Sequence, residues 1–196
     1  MAKIKIAKLK TNRLILRQWC DADFLPFAML NADAKVMEYY PQTLNESESN
    51  AMAKKLKQLI KQKGWGLWAV EEQATGQFIG FVGLHEPVYD LPVALPCVEI
   101  GWRLAHSYWG KGYASEAARI VLKFAFTELK LKVVYSFTSV INKKSEAVMK
   151  RLGMKNSYQN FAHPMLPEGD PLSEHLLYKM EWQFFNSEKV GEIFYS

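Results

Sequence analysis

Only two cysteines, Cys20 and Cys97, occur among the 196 residues, far apart and outside any C-x-x-C pair. That excludes a disulfide framework and leaves two free thiols, expected to be buried, the state a reducing cytoplasm maintains. Long apolar runs are missing as well: no stretch approaches the roughly 18 residues that a membrane-spanning helix needs. Residues 1–10 interleave Lys with Ile, Ala and Leu instead of building the uninterrupted apolar block of a secretory signal. A soluble cytoplasmic chain without a membrane partner is expected. No Ser-, Gln- or Pro-rich tract and no internal repeat interrupts the sequence. The four histidines, His85, His106, His163 and His175, show no metal-ligand spacing, and no Cys/Asp cluster completes a site, so no metal is expected.

What the chain does have is core-forming material. Nearly half of it is apolar (49%), with 6 Trp, 9 Tyr and 11 Phe, too many for a disordered chain. Its length suits one domain over 1–196, with a core over about 11–184 and flexible ends. The formal net charge of +5 suits an anionic partner: nucleic acid, acidic lipid or a phosphate-bearing small molecule. The Lys and Arg residues are spread along the chain rather than packed in a block, so nucleic acid is not the expected partner, whereas a phosphorylated cofactor needs only a few placed cations. The oligomeric state is open between monomer and homodimer.

Residues 13–17 read as a strand, and Asp21-Ala22-Asp23 as a helix start, its carboxylates facing free N–H groups. Short helices are expected over 25–30 and 34–39. From 46 to 63, Met52, Leu56, Leu59 and Ile60 recur at helical spacing among Lys, Glu and Gln, and Gly64 supplies the stop. Runs 65–71 and 78–85 read as a hairpin around Ala74-Thr75-Gly76-Gln77. In the strand 98–105, Val98, Ile100, Trp102 and Leu104 alternate with Glu99, Gly101 and Arg103, which puts Glu99 and Arg103 together on the opposite face. A helix over 112–129, a strand over 132–140, a helix over 143–152 closed by Gly153, a proline-broken loop over 161–173 and a strand over 176–184 complete the pattern. Antiparallel strands followed by a strand–helix–strand crossover point to an α+β, or mixed α/β, fold with helices covering a twisted sheet. Trp65, Trp68 and Trp102 are read as core.

The segment Trp109-Gly110-Lys111-Gly112-Tyr113-Ala114 joins a strand to a helix and places two glycines at the helix start. Glycine allows a tight turn and close backbone approach, while the helix N-terminus contributes unpaired N–H groups and positive dipole, so a pyrophosphate fits there. A Gly-x-Gly turn is also often only a connection. Its surroundings are more specific. Glu99-Ile100-Gly101-Trp102-Arg103-Leu104 followed by Tyr108-Trp109-Gly110-Lys111-Gly112-Tyr113-Ala114-Ser115-Glu116-Ala117 resembles the cofactor motif of the GCN5-related N-acetyltransferases (GNATs). The opening Thr11-x-Arg13-Leu14-x-Leu16-Arg17 and the later Asn142-x-x-Ser145-x-x-Val148-x-x-x-x-Gly153 are similar to the ribosomal-protein N-terminal acetyltransferase-like branch. The resemblance runs from about Thr11 to Trp182.

It implies a GNAT-type splayed mixed β-sheet with acetyl-CoA as cosubstrate between the Glu99 strand and the next one. By position, Lys111, Gly112 and Ala114 would present pyrophosphate-binding amides, Trp102 and Leu104 the backbone beside the pantetheine arm, and Asn142 a polar contact to the cofactor. Lys143, Lys144 and Arg151 read equally as phosphate attractors or as a solvated helix face. Two positions depart from the family pattern: Trp109 stands where the general motif has Gln or Arg, and Met149 where many members carry a tyrosine acid.

Transfer of an acyl group from a thioester to an amine needs a neutral nucleophile, a stabilised oxyanion and a departing thiolate. Deprotonating an unperturbed lysine amine at pH 7 costs roughly 4–5 kcal/mol, and an α-amine only about 1 kcal/mol, for which a weak base suffices. The resemblance gives the base role to Glu99, directly or through water; the other reading is a strand carboxylate paired with Arg103 or another cation. Ser145 is the candidate hydroxyl acid for the leaving sulfur, or else a helix cap. The acceptor is expected to be a primary amine, on a protein N-terminus or a small molecule, with loop 161–173 in its pocket. A non-catalytic acetyl-CoA-binding module and a basic nucleic-acid-associated protein are the rival functions.

Overall fold

A computed structural model describes residues 4–186 and 190–195. Its strands are β1 (Ala7–Lys10), β2 (Leu14–Arg17), β3 (Leu67–Glu72), β4 (Gln77–His85), β5 (Glu99–Leu104) and β6 (Val133–Ser139), then β7 (Lys155–Asn156), β8 (Phe161–Ala162), β9 (Glu174–Glu181) and β10 (Glu192–Tyr195). The helices are α1 (Phe24–Ala32), α2 (Glu46–Lys63), α3 (Tyr113–Thr127) and α4 (Lys143–Arg151). The strands form a ten-stranded sheet in the order β10-β1-β2-β3-β4-β5-β6-β9-β7, with β8 on β9. Every pair is antiparallel except β5 with β6.

Helix α2 shows why the local reading succeeds. Asn45 Oδ1 accepts from the Glu48 N–H at 3.0 Å while Glu48 Oε2 accepts from the Asn45 N–H at 2.8 Å, a reciprocal cap. Ser49, Ala53, Leu56 and Ile60 form the buried stripe, and Gly64 ends the helix in the left-handed region. The stripe and α1 cover one face of the sheet, where Trp19 and Phe27 meet edge-on at 4.9 Å. Helix α3 covers the other face and buries Ala117, Ala118, Val121, Leu122 and Ala125, with Phe124 edge-on to Trp68 at 5.3 Å. Each large apolar side chain so buried contributes about 1.5–3 kcal/mol.

One irregularity shapes the face under α1. The β3–β4 register shifts so that Val70 faces Gly80 and Glu71 faces Phe78, leaving Ile79 as an extra residue. The bulge turns Phe78 and Phe81 to the same side, both against Phe27 at 6.1 and 6.0 Å. A side chain at Gly80 has no room, since its Cβ would lie 2.2 Å from the Arg103 carbonyl oxygen.

Several expectations are corrected. Residues 34–39 form turns and no helix, because the Asp33 carboxylate captures the Lys35 N–H at 2.8 Å and Val36 and Met37 are adjacent rather than helically spaced. The strand expected over 176–184 begins at Glu174 and gives way to a 3-10 turn at Trp182–Phe184. Outside the core expected over about 11–184, β1 and β10 pair with each other at one edge of the sheet. Strands β7 and β8 span two residues each, too short for a period to register.

Candidate active site

The parallel pair β5–β6 is joined at a single register position, Glu99 with Tyr135, where the Tyr135 N–H donates to the Val98 carbonyl at 2.9 Å. Beyond it the strands diverge, and among the described residues no pairing links Ile100–Leu104 to β6. Strand alternation directs the backbone groups of Ile100, Trp102 and Leu104 into the gap, on the side where Val98 still meets β6. The carbonyl of Leu104 is already engaged by Trp109 Nε1 at 2.8 Å. That bond gives Trp109 its purpose: the indole ties the glycine loop to the end of β5.

A cavity of about 950 Å³ opens at this splay, bordered by the glycine loop, the start of α4 and the segment around Tyr39 and Tyr40. Trp102, Leu104, Lys111, Gly112, Ala114, Asn142 and Ser145 all line it. Trp102 is thus half-buried at a cavity wall rather than sealed in the core. Gly112 is the N-cap of α3 at φ +79°, with Gly110 at φ +75°. After the Trp109 N–H, the next backbone donor with a protein acceptor is Glu116, which reaches Gly112; the consecutive amides of 110–115 have no acceptor among the described residues. Ser115 Oγ at the cavity wall is likewise buried and unpartnered. Adjacent free amides at a helix N-terminus make an anion-binding nest.

The loop is braced from the start of the chain. Thr11 Oγ1 and the Arg13 N–H both donate to Glu116 Oε1, at 2.6 and 3.0 Å, and Arg13 Nη1 donates to the Lys111 carbonyl at 3.0 Å. The Thr11/Arg13 and Glu116 motifs are therefore one unit in space. On the other rim, Lys144 lies 4.8 Å over the Trp109 ring and pairs with Glu38 at 3.1 Å, and Lys143 reaches Glu146 at 3.4 Å. These cations and Arg151 border the same cavity.

Asn142, not Ser145, caps α4: its Oδ1 accepts from the Ser145 N–H at 3.1 Å. Its Nδ2 donates to Thr138 Oγ1 at 2.9 Å and to Ser145 Oγ at 3.2 Å. Both amide protons are thus committed within the protein, and only an oxygen lone pair remains for a ligand. Ser145 Oγ accepts one bond and keeps its own proton to donate.

Glu99 lies apart from the cavity lining, at the point where β5 and β6 still touch, and is 6% exposed. The pairing with Arg103 is not formed; its neighbour is His85, whose Nε2 lies 3.0 Å from Glu99 Oε2. Burial raises the Glu99 carboxyl above the ordinary range, with His85 pulling it partly back. Burial pulls the His85 imidazole down, but the Glu99 carboxylate 3.0 Å away outweighs it and the net direction is upward. Tyr89 is also raised, first by burial and then by Glu99, and it touches Phe137 (6.4 Å) and His163 (4.9 Å). Through it, the 161–173 loop connects to the surroundings of Glu99.

The description "Acetyltransferase (GNAT) domain" matches residues 13–155 of the chain. The chain belongs to the GNAT acetyltransferase family. Bacillus subtilis YnaD, named an uncharacterized N-acetyltransferase, is 28% identical over 178 residues, covering 89% of this chain and 98% of the relative. A GNAT-family acetyltransferase structure from Bacillus anthracis superposes with a TM-score of 0.75 at 25% identity, over 90% of this chain and 99% of its own. RimL, the ribosomal L7/L12 α-N-protein acetyltransferase solved with coenzyme A, shares the fold at a TM-score of 0.70 and 17% identity, over 89% of this chain and 97% of its own. The GNAT resemblance and its mixed sheet are borne out, and the protein is an acetyl-CoA-dependent N-acetyltransferase. Among the described residues no helix is long and apolar enough to cross a membrane.

Sequence reasoning missed some residues that the structure brings to the cavity and to Glu99. His85 carries no motif and becomes a partner of Glu99 only through the β4–β5 register, which sets the two opposite each other. Tyr39 and Tyr40 sit in a turn segment without periodicity. Met149 is fully buried, so at that position no polar group faces the site.

Proposed function

We propose that this acetyltransferase moves an acetyl group from acetyl-CoA to a primary amine by direct attack in a ternary complex, with the chain acting as one domain. The observation that carries the reading is the run of unpaired amides at 110–115, which opens onto the gap beside the strand bearing Glu99. Acetyl-CoA fits these residues: the amides and Ser115 offer donors to its pyrophosphate, the free edge of β5 offers backbone groups to its amide-containing arm, and Lys111, Lys143, Lys144 and Arg151 supply positive charge. When bound, it supplies the activated acetyl group.

The chain's own residues then handle protons. Glu99, made more basic by burial, takes the proton of the incoming ammonium directly or through water, and His85 steadies the carboxylate. An α-amine suits this base, since freeing it at pH 7 costs only about 1 kcal/mol. Ser145 donates to the departing sulfur; with a thiol pKa near 8.5, that help is worth about 2 kcal/mol at most, so the absence of a tyrosine at Met149 is tolerable. The acceptor is a protein N-terminal α-amine or a small-molecule amine, and the Tyr89–Phe137–His163 cluster with the loop behind it forms part of its wall.

Acetyl-CoA calorimetry followed by a thiol-release screen over peptides, polyamines and aminoglycosides tests the reading. Binding without release for every amine would make the chain a regulatory module, and steeply salt-dependent nucleic-acid binding without acetyl-CoA affinity would support the third function.

A further inference from the structure

Arg103 takes no part in the chemistry above. It is 8% exposed and lines the cavity on the face of β5 that also carries Glu99. Its Nη1 donates to Asn31 Oδ1 of α1 at 2.7 Å, and Asn31 Nδ2 donates in turn to Ser49 Oγ of α2 at 2.9 Å. Both Asn31 and Ser49 are wholly buried. The guanidinium carbon lies 4.0 Å from the Tyr40 ring centroid and 5.4 Å from that of Phe81.

Two helices and two rings therefore fix this guanidinium, yet every partner is neutral. Among the described residues no carboxylate lies within ion-pair distance of it, and its Nε is buried without an acceptor. The cavity's rim lysines differ: Lys143 and Lys144 have acidic partners and are largely exposed. A permanent charge held in a buried wall without a counter-ion is unfavourable by itself, and such pre-positioned arginines suit planar, bidentate anions.

We infer that Arg103 binds a carboxylate of the acceptor, so that the enzyme selects amines that also carry an acid group. The inference rests on the acetyl-transfer reading above. Glu99 and Arg103 stand four residues apart on one strand face, roughly 13 Å along β5. An acceptor addressing both ends has its amine and its carboxylate separated by the length of a di- or tripeptide. The anion nest at 110–115 already offers main-chain donors to phosphate, and Arg103, held from α1, presents a separate planar fork that suits a carboxylate.

The test compares alanyl-glycyl-glycine with its C-terminal amide, and alanine with alaninamide, as acceptors for the wild type, Arg103→Lys and Arg103→Gln. In thiol release, the wild type prefers the free acid of the tripeptide at least tenfold in kcat/KM, and Arg103→Gln loses that preference while calorimetric acetyl-CoA affinity stays within twofold. The same peptides are titrated into CoA-loaded, ¹⁵N-arginine-labelled wild type. The Arg103 Nε–H resonance, assigned by its loss in Arg103→Lys, moves with the acid and not with the amide; this readout also serves if Arg103→Gln fails to fold. Alanine and alaninamide, too short to reach both ends of the strand face, respond alike. Equal response to the tripeptide acid and its amide, or none to either, overturns the inference. So does a tenfold loss of acetyl-CoA affinity in Arg103→Gln with the acid preference intact, which would assign the guanidinium to cofactor phosphate. A resonance shift without thiol release for any amine would sink the transfer reading and leave the carboxylate site standing.

Discussion

Arg13 Nε donates to Glu116 Oε2 at 2.6 Å, fastening the start of β2 to the first turn of α3. Glu116 receives two further donors there, from Thr11 and the Arg13 backbone, and the Arg13 guanidinium lies 4.4 Å from the Tyr113 ring centroid. The pair touches the loop from outside and holds its amides in place. Glu116→Ala is expected to lower acetyl-CoA affinity about tenfold, near 1.4 kcal/mol, through loop disorder. Calorimetry on Glu116→Ala, Arg13→Met and the double variant checks it; additive losses would show the two residues acting independently.

Gly112→Val should lose acetyl-CoA binding by at least 100-fold while keeping the fold. At φ +79° a side-chain-bearing residue pays about 1–2 kcal/mol, more when β-branched, and the side chain would stand where a ligand must approach the backbone. The protein offers little other obstruction, since a Cβ would lie 3.6 Å from Arg13 Nη2. Unchanged affinity in the folded variant would remove this loop from the cofactor site.

Glu99→Gln should depress turnover most at low pH and least at high pH, where the acceptor amine is already neutral. It should also drop the His85 titration below its ordinary 6.5, because burial then acts on the imidazole without the opposing carboxylate. Rate profiles and histidine NMR titrations report the two effects separately. Superimposable rate profiles would make Glu99 structural even if His85 moves.

The register of Glu99 and His85 also shows where sequence reading stops. Alternation along 98–105 put Glu99 and Arg103 on one face correctly, and the apolar spacing of α2 with its Gly64 stop marked its ends to the residue. Which cation approaches Glu99, however, depends on β4 lying antiparallel at a particular register after a one-residue bulge at Ile79. No local pattern encodes that choice. The same holds for β10, whose pairing with β1 joins residues from opposite ends of the chain.

Ser145 and Asn142 should separate cleanly. Asn142→Ala removes the α4 cap and two side-chain bonds, and is expected to cost about 1 kcal/mol or more of stability. Ser145→Ala should leave stability within about 0.5 kcal/mol and acetyl-CoA affinity within twofold, yet lower turnover roughly tenfold, the size of one proton-transfer contribution. Urea titration, calorimetry and thiol release together decide. Equal losses of affinity and turnover in Ser145→Ala would make it a cofactor contact.

His163 is held down at about 4 by burial and by His175 beside it. Its folded value lies below the ordinary 6.5, so the unfolded chain binds the proton more tightly. The stabilising contribution is complete above about pH 6.5 and is lost progressively as pH falls toward 4. His163→Phe should therefore flatten the acid-side fall of the urea midpoint between pH 7 and pH 5, leaving the part due to His175, which burial also lowers. An identical fall in the variant would show that His163 titrates normally.

The single rung between β5 and β6 sets stability against activity at one place. Among the described residues, β5 is laddered along its whole length to β4 but meets β6 only at Glu99 and Tyr135. Completing the remaining rungs would give a better sheet and a worse enzyme, because the hydrogen-bonding edge now open to the cavity would be consumed by the protein itself. Substitutions that draw the two strands together, however stabilising, should be counter-selected wherever acetyl transfer matters.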